Sequence, residues 1–527
     1  MALSKFYKSN IFYIVVLILL CFPSLYSLFH NGIFVSDDGE WMIIRLSAFY
    51  EMLKLGEVPV RFIARLNNGY GYPVSNFMYP GFLYFGSFIH LFGFGFVTTI
   101  KIIFGLGLLS SGVFTYFWLG KLFSKIPAFF GAVIYIYMPY HLFDLYVRGS
   151  VGEVIALSII PFIFWQIERK SMLWIAFGIA TLILSHNTLA FLFVIPLALY
   201  AIIQNKQKDI RKKILFSMIP FIFGIGLASF FWIPALYDLQ YTVFRSVSIS
   251  NWQQYFATVS LIGHVTIGVF VAGIFLLFTK KIQASPYKKD YIFFIIIGLL
   301  SLSVSLPISF PFWMYFPTAF IQFPFRFLSL TILSSAFLVT FFLSLMSNKK
   351  IQILIGIVLY VSAMYTCLSY MLPKEFIDKG DLYYISNFST TTIKDEYMPI
   401  WVKESLPGGS SQKIKIIQGR GKLSEVVIRG NQVNAHATMQ KNGIIQVNTI
   451  YFPGWQVYVD GKKQHIFPVS PFGFMQFSLP VGMHSVIVVF GETPVRLFAD
   501  FLSGITLLVI VFLSVYQVRY NRTTYKK

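Results

Sequence analysis

The stretch from Phe34 to Pro80, FVSDDGEWMIIRLSAFYEMLKLGEVPVRFIARLNNGYGYPVSNFMYP, decides how the rest of the chain is read. It places five acids (Asp37, Asp38, Glu40, Glu51 and Glu57) and four bases (Arg45, Lys54, Arg61 and Arg65) between two long apolar segments. Of the 527 residues, 56% are hydrophobic and only 12% are charged, against about 25% charged in an ordinary soluble domain. That composition is the signature of an integral membrane protein, and a charged segment within it reads as a loop at the membrane surface.

Working outward, apolar runs near the roughly 20 residues that cross a bilayer recur along the chain, and the bases between them predict orientation, because cytoplasmic loops are rich in Lys and Arg. With the N-terminus inside, about 12 spans place Lys5/Lys8, Lys121/Lys125, Arg169/Lys170, Lys206 to Lys213, Lys280 to Lys289, Lys349/Lys350 and the tail from Arg519 to Lys527 in the cytoplasm. These clusters hold half of the 42 Lys and Arg residues, so the net charge of +21 follows from topology and no nucleic-acid partner is indicated. The count requires Gly81 to Phe96 to be an interfacial or re-entrant segment, and Met172 to Ile203 to be a hairpin of two short helices turning at Ser185-His186-Asn187. The run IFYIVVLILLCFPSLYSLF has no small-x-small cleavage site after it and is expected to stay as the first span. Cys21 and Cys367 lie in apolar runs and indicate neither a disulfide framework nor a thiolate metal site.

The extracytoplasmic side then collects polar groups at span ends: Tyr140 to Gly149 with Arg148, Glu153, Ser185 to Asn187 with His186, Trp232 to Arg245, and Ile321 to Arg326. Ionisable groups at membrane depth are costly and usually face a cavity or one another, so several on one side read as a site. Singly, each would only cap a helix or snorkel to the headgroups. From about Leu372 the pattern changes to apolar/polar alternation in Lys413–Gln418, Glu425–Arg429, Ile444–Tyr451, Trp455–Val459, Phe474–Leu479 and Ser485–Phe490, the period of half-buried strands. Val459-Asp460-Gly461-Lys462 reads as a hairpin turn. The expected architecture is a polytopic α-helical membrane protein with a C-terminal β-rich extracytoplasmic domain: residues 1–371 helical, 372–496 a small β-sandwich, and 497–527 a final span with a basic cytoplasmic tail.

In the opening loop, Ser36-Asp37-Asp38 is a plausible helix start, and Glu40 to Leu55 sets Trp41, Ile44, Ala48, Met52 and Leu55 on one face, as in a helix lying in the interface plane. Asp37 and Asp38 are then either N-capping residues or a carboxylate pair for general-base work, with a divalent cation as the one cofactor the pair would suit. Arg61 and Arg65, one turn apart if helical, have the forked donors that fit phosphate, and in NNGYGYP the glycines allow close approach while Tyr70 and Tyr72 offer stacking surfaces for a sugar. Glu40 stands beside the acid pair. No P-loop, HExxH, GxSxG or metal-spaced Cys/His cluster is present in the sequence.

An outside loop with paired acids after a first span resembles the GT-C class of membrane glycosyltransferases. The strings SDDGEW, GEVPVRF, NNGYGYPVSNFMYP, DLYVRGSVGE, LSHN, IQFPFRFL and DEYMPIW resemble the bacterial membrane proteins labelled "6-pyruvoyl-tetrahydropterin synthase-related", and YFPGWQVYVDGK with LPVGMHSVIVVF resembles the YfhO-type membrane proteins. The resemblance implies a GT-C-like core in the bacterial cytoplasmic membrane, transferring a sugar from a polyprenyl-phosphate donor to an envelope glycan or protein acceptor. Asp37 or Asp38 would be the base; Arg61, Arg65, Arg148 and Arg326 would hold the donor phosphate; Glu153 and His186 would support the cavity. In the family pattern a histidine often follows DGEW, where this chain has Met42. Two other classes fit the same charges: a transporter or flippase of lipid-linked glycans, and a non-catalytic envelope assembly protein whose β-domain binds glycans through Tyr451, Trp455 and Tyr458.

Overall fold

The computed structural model describes residues 9–246, 251–315, 318–409 and 412–524; the basic pair Lys5/Lys8 and the last two lysines lie outside the described residues. Seven helices among them are long and apolar enough to cross a membrane: Asn10–Phe29, Phe96–Leu122, Val151–Arg169, Asn187–Gln204, Pro324–Ser344, Lys349–Met371 and Pro494–Val515. Three bent pairs raise the number to ten, and two shorter apolar helices, Met172–Ser185 and His264–Leu277, would complete the expected twelve. The chain is a multi-pass membrane protein. Gly81–His90 is a helix of 10 residues, about 15 Å long and half of a roughly 30 Å hydrocarbon core, so it does not span.

Helix contacts use small residues where backbones approach. A Cβ on Gly131 would lie 2.9 Å from the carbonyl oxygen of Ala336, and Ser110 and Ser158 share a 2.7 Å hydrogen bond between Phe96–Leu122 and Val151–Arg169. Two interruptions of the helices place charged and polar side chains at span ends. Lys125–Ile136 and Pro139–Arg148 meet at a 42° bend and end in one π-helical turn, Asp144–Arg148. Met172–Ser185 and Asn187–Gln204 are separated by His186, whose backbone is extended (φ −162°).

The opening loop forms a two-stranded ribbon with the segment after the Lys349–Met371 helix, Ile33 and Phe34 pairing with Ile377 and Phe376. The expected helix is present as Gly39–Lys54, with Lys54 exposed. It is not a helix with one bare polar face, however: Met42 to Phe49 are all buried, because Gly380–Ser386 and the Thr391 region cover it. Arg45 is buried and bonds Thr391 through both its Oγ1 (3.0 Å) and its carbonyl.

Nine strands from Ile414 to Phe490 form two antiparallel sheets. One has four strands, in the order Ile414–Gln418, Gly443–Ile450, Phe474–Leu479, Phe467–Val469; the other has five, in the order Gly421–Arg429, Gln432–Met439, Gly482–Phe490, Trp455–Val459, Lys462–Gln464. The Asp460-Gly461 turn is a hairpin with both residues at positive φ (50° and 77°). The sheets are bound to the opening loop. Trp455 packs edge-on against Phe62, Ile450 N–H donates to Tyr70 O, and Lys413 Nζ donates to Gly69 O at 2.7 Å.

Burial pushes the Lys413 ammonium down to about 8. An unfolded Lys titrates near 10.4, so between those values the unfolded chain holds the extra proton and stability must rise with pH. The detergent-solubilised protein should therefore melt about 1–2 °C higher at pH 9.5 than at pH 7.5 through this group. Lys413→Met should lose that increment while keeping the stem's packing. Equal pH slopes in the two proteins would show that Lys413 carries no folding penalty.

Candidate active site

A carboxylate inside a membrane domain needs counter-charge. Glu153 lies in the first turn of Val151–Arg169 and is fully buried. Its Oε1 receives Arg148 Nη1 at 2.5 Å and Arg326 Nε at 3.0 Å and lies 3.5 Å from His186 Nε2; its Oε2 receives the Tyr140 hydroxyl at 3.0 Å. His186 Nδ1 accepts the Leu189 N–H, so the neutral ring carries its proton on Nε2, facing Glu153. Arg148 also lies 3.4 Å from Asp144, and Phe323 stacks under both arginines, at 5.1 Å from Arg148 and 4.9 Å from Arg326.

Local structure aims these groups. The π-helical turn ends at Arg148, and Gly149, at φ +63°, reverses the chain into the Glu153 helix. Arg326 sits in the short turn after Pro324, with Nη1 held by Ile321 O (2.7 Å) and Gln322 Oε1 (2.8 Å). The acid pair is pinned to the same turn through its backbone: Asp37 N–H donates to Val147 O and Asp38 N–H to Arg148 O, at 3.0 and 2.8 Å. Asp38 Oδ2 then lies 3.8 Å from Arg148 Nη2.

Asp38 occupies the N-cap position of Gly39–Lys54 without capping it; Ser36 Oγ takes the Gly39 N–H instead, at 3.3 Å. The capping explanation of the acid pair therefore does not describe the side chains. Asp37 is exposed and, among the described residues, its carboxylate has no hydrogen-bond or ion-pair partner. Partial desolvation raises its pKa above the ordinary carboxylate value, Arg148 opposes that, and Asp38 adds to it.

A Cβ on Gly149 would sit 2.4 Å from Ser36 Oγ and 2.8 Å from Gly39 N, against the acid loop itself. Gly149→Ala is expected to displace Asp37 and Asp38 and to cost about 1–2 kcal/mol from its left-handed backbone alone. Its activity should fall further than its melting temperature suggests. Wild-type activity in this variant would separate the acid loop from the chemistry.

Several groups join that sequence reasoning missed. Glu396, in the turn before Met398, is raised in pKa by burial, opposed by Arg45, raised by Asp38 and opposed by Arg326. Tyr79 is raised by burial and next by Asp38, and its ring lies 4.8 Å from His186. Tyr140 and Asp144, which lie in the Tyr140 to Gly149 segment already expected among the site's polar groups, complete the contacts of Glu153 and Arg148. The available signals were Asp395-Glu396, an acidic pair in the DEYMPIW string, and Tyr79 just before Pro80; both are ordinary in composition.

The structure takes the remaining sequence candidates elsewhere. The segment holding Arg61 and Arg65 is not helical. Arg61 is held by Glu492 (3.2 Å), Asp500 (2.8 Å) and Phe230 O (2.7 Å), tying the loop to the final helix. Arg65 bonds Glu51 and Ser47. Tyr72 bonds Thr392 and Tyr397 in the core, Tyr70 lies against the four-stranded sheet, and Glu40 pairs with Lys379 at 2.8 Å. Met42 is buried, with its sulfur 3.5 Å from Arg45 Nη1.

Among the described residues no three His, Cys, Asp or Glu side chains are grouped to hold a metal ion. Both Glu153 oxygens are occupied and the neighbour of Asp38 is a guanidinium, so neither of these two carboxylates is set out as a metal ligand.

Residues 77–372 match the family described as "6-pyruvoyl-tetrahydropterin synthase related domain; membrane protein". The chain belongs to that family. The match takes in Arg148, Glu153, His186 and Arg326, while Asp37 and Asp38 precede it and the sheets lie beyond its end. No curated protein matches significantly. Among solved structures, this member of the pterin-synthase-related membrane family is similar to arabinofuranosyltransferase AftD from Mycobacteria (14% identity, TM-score 0.47, 69% of this chain and 27% of that one). It is also similar to the Archaeoglobus fulgidus oligosaccharyltransferase tethered with an acceptor peptide (12%, 0.42, 75% and 62%) and to AglB from the same organism in complex with an inhibitory peptide and a dolichol-phosphate (11%, 0.40, 72% and 56%). The chain thus spans about a quarter of the first protein's length and less than two thirds of the others.

Proposed function

We propose that the protein is an inverting membrane glycosyltransferase that moves a sugar from a polyprenyl-phosphate donor to an envelope acceptor on the extracytoplasmic side of a bacterial cytoplasmic membrane. The observation that carries this reading is an exposed carboxylate of raised pKa, Asp37, unpaired among the described residues and fixed by its backbone to a buried turn bearing Arg148. Asp37 takes the proton of the acceptor hydroxyl. The freed oxygen forms a bond to the anomeric carbon from the face opposite the donor phosphate, the anomeric carbon–phosphate oxygen bond breaks, and the electron pair leaves with polyprenyl phosphate. Arg148, whose Nη2 has, among the described residues, no partner closer than Asp38 at 3.8 Å, holds the leaving phosphate; Arg326 shares its carboxylate and its aromatic support. Glu153 and His186 position the arginines, and the sheets present the acceptor.

The test is purified protein in liposomes with a panel of polyprenyl-phosphate-linked hexoses and pentoses. Release of polyprenyl phosphate supports the transferase. Movement of the intact lipid-linked sugar across the bilayer would replace it with a flippase, and neither activity would leave an assembly protein.

A further inference from the structure

The outer face of the four-stranded sheet carries a cavity of about 430 Å³ that the transfer chemistry does not use, within the roughly 300–1,000 Å³ of small-molecule pockets. Cross-strand register sets Lys415, Gln446 and Gln476 in one row on that face, since Lys415 pairs with Gln446 and Gln446 with Gln476. Neighbouring Ile414, Val447 and Met475 point the other way and are buried. The amides form an ordered chain: Gln476 Nε2 donates to Gln446 Oε1 at 2.8 Å, Gln446 Nε2 to Asn448 Oδ1 at 2.8 Å, and Asn448 Nδ2 to Gln412 O at 2.7 Å. A primary amide has two N–H donors and two acceptor lone pairs, so Gln446 keeps one of each for a ligand.

An aromatic wall stands beside this row. Phe474 stacks on Tyr70 at 5.0 Å, and the half-buried Phe472 tilts against Phe474 at 5.5 Å. The Tyr70 hydroxyl donates to Gly408 O at 3.1 Å and closes the far side with the opening loop. A hydroxyl is both donor and acceptor, which the pre-ordered Gln446 amide matches; a sugar ring also has an apolar C–H face, which the phenyl rings match. A phosphate would find one ammonium, Lys415, and a peptide strand needs a sheet edge where this cavity offers a face.

We propose that this cavity binds a neutral sugar residue of a glycan, with Gln446 bonding its hydroxyls and Phe472 and Phe474 packing on its C–H face. As an acceptor subsite it rests on the transferase reading; as a glycan-binding site it does not. Full-length protein in detergent, applied to immobilised neutral oligosaccharides of hexose, N-acetylhexosamine, deoxyhexose and pentofuranose units, should be retained on at least one class. Gln446→Leu and Phe472→Ala should each weaken that retention about 10-fold or more, at unchanged melting temperature, because the site's polar and apolar contacts are lost separately. Lys415→Met should change it less than about twofold. No retention of the wild type, retention indifferent to both variants, or retention only of anionic glycans and lost in Lys415→Met, would each overturn the proposal. Asp37→Asn must leave retention intact. Gln446-dependent retention without transfer of any donor would sink the transferase and keep this site, and transfer without retention would do the reverse.

Discussion

Replacing Asp37 by Asn should cut transfer by about 10²–10⁴-fold, the contribution of a positioned base, with the melting temperature unchanged. The two halves of that expectation have separate causes. Among the described residues the Asp37 carboxylate bonds to nothing, and the residue's place in the fold is kept by its backbone N–H to Val147 O, which Asn retains. A loss of rate without a loss of stability is then chemical. The base must be ionised, so the rate should climb with pH through a pKa above the ordinary value near 3.9, because desolvation raises it. Asp38 adds to that elevation, and its charge also steadies Arg148. Asp38→Asn should therefore slow transfer by a smaller factor and move the acid limb of the rate profile to lower pH, a shift that a merely structural role would not give. An Asp37→Asn protein with wild-type rates across the pH range would remove Asp37 from the chemistry.

What could be read from sequence divides along a physical line. Arg148, Glu153, His186 and Arg326 were legible because a charge in an apolar run is conspicuous and must find company; the structure brings those four together. Arg61 and Arg65 were conspicuous too, but an arginine does not encode its partner. The carboxylates that claim Arg61 lie 431 and 439 residues away, at Glu492 and Asp500. The Gly39–Lys54 helix followed from its period, whereas its burial depends on Tyr384 and Thr391, more than 300 residues distant. Strands rich in Val and Ile showed themselves by alternation. Gln432–Met439 escaped because its inward residues include Ala435 and Ala437, and Lys462–Gln464 and Phe467–Val469 are too short for any period. Bends of 42°, 68° and 78° within apolar runs leave run length a poor measure of span count.

Glu153→Leu should cost the fold about 3–5 kcal/mol, because it leaves two guanidiniums buried without their shared carboxylate. The measurement is the melting temperature of the protein in detergent. Loss of activity in that variant alone would say nothing about mechanism. A four-fold variant separates the roles: Glu153→Leu with Arg148→Met, Arg326→Met and Asp144→Asn removes every charge of the buried group. Replacing a buried ionic cluster by apolar side chains of similar volume is often neutral or stabilising by about 1–4 kcal/mol, so most of the stability should return. Transfer should not, since no guanidinium remains beside Asp38 to receive the leaving phosphate. If the four-fold variant melts like the wild type and still transfers sugar at the wild-type rate, the cluster is only a brace between the Glu153 helix and the turns at Arg148 and Arg326. If it melts like the wild type and is inactive, the membrane-buried charge is retained for the reaction and not for the fold.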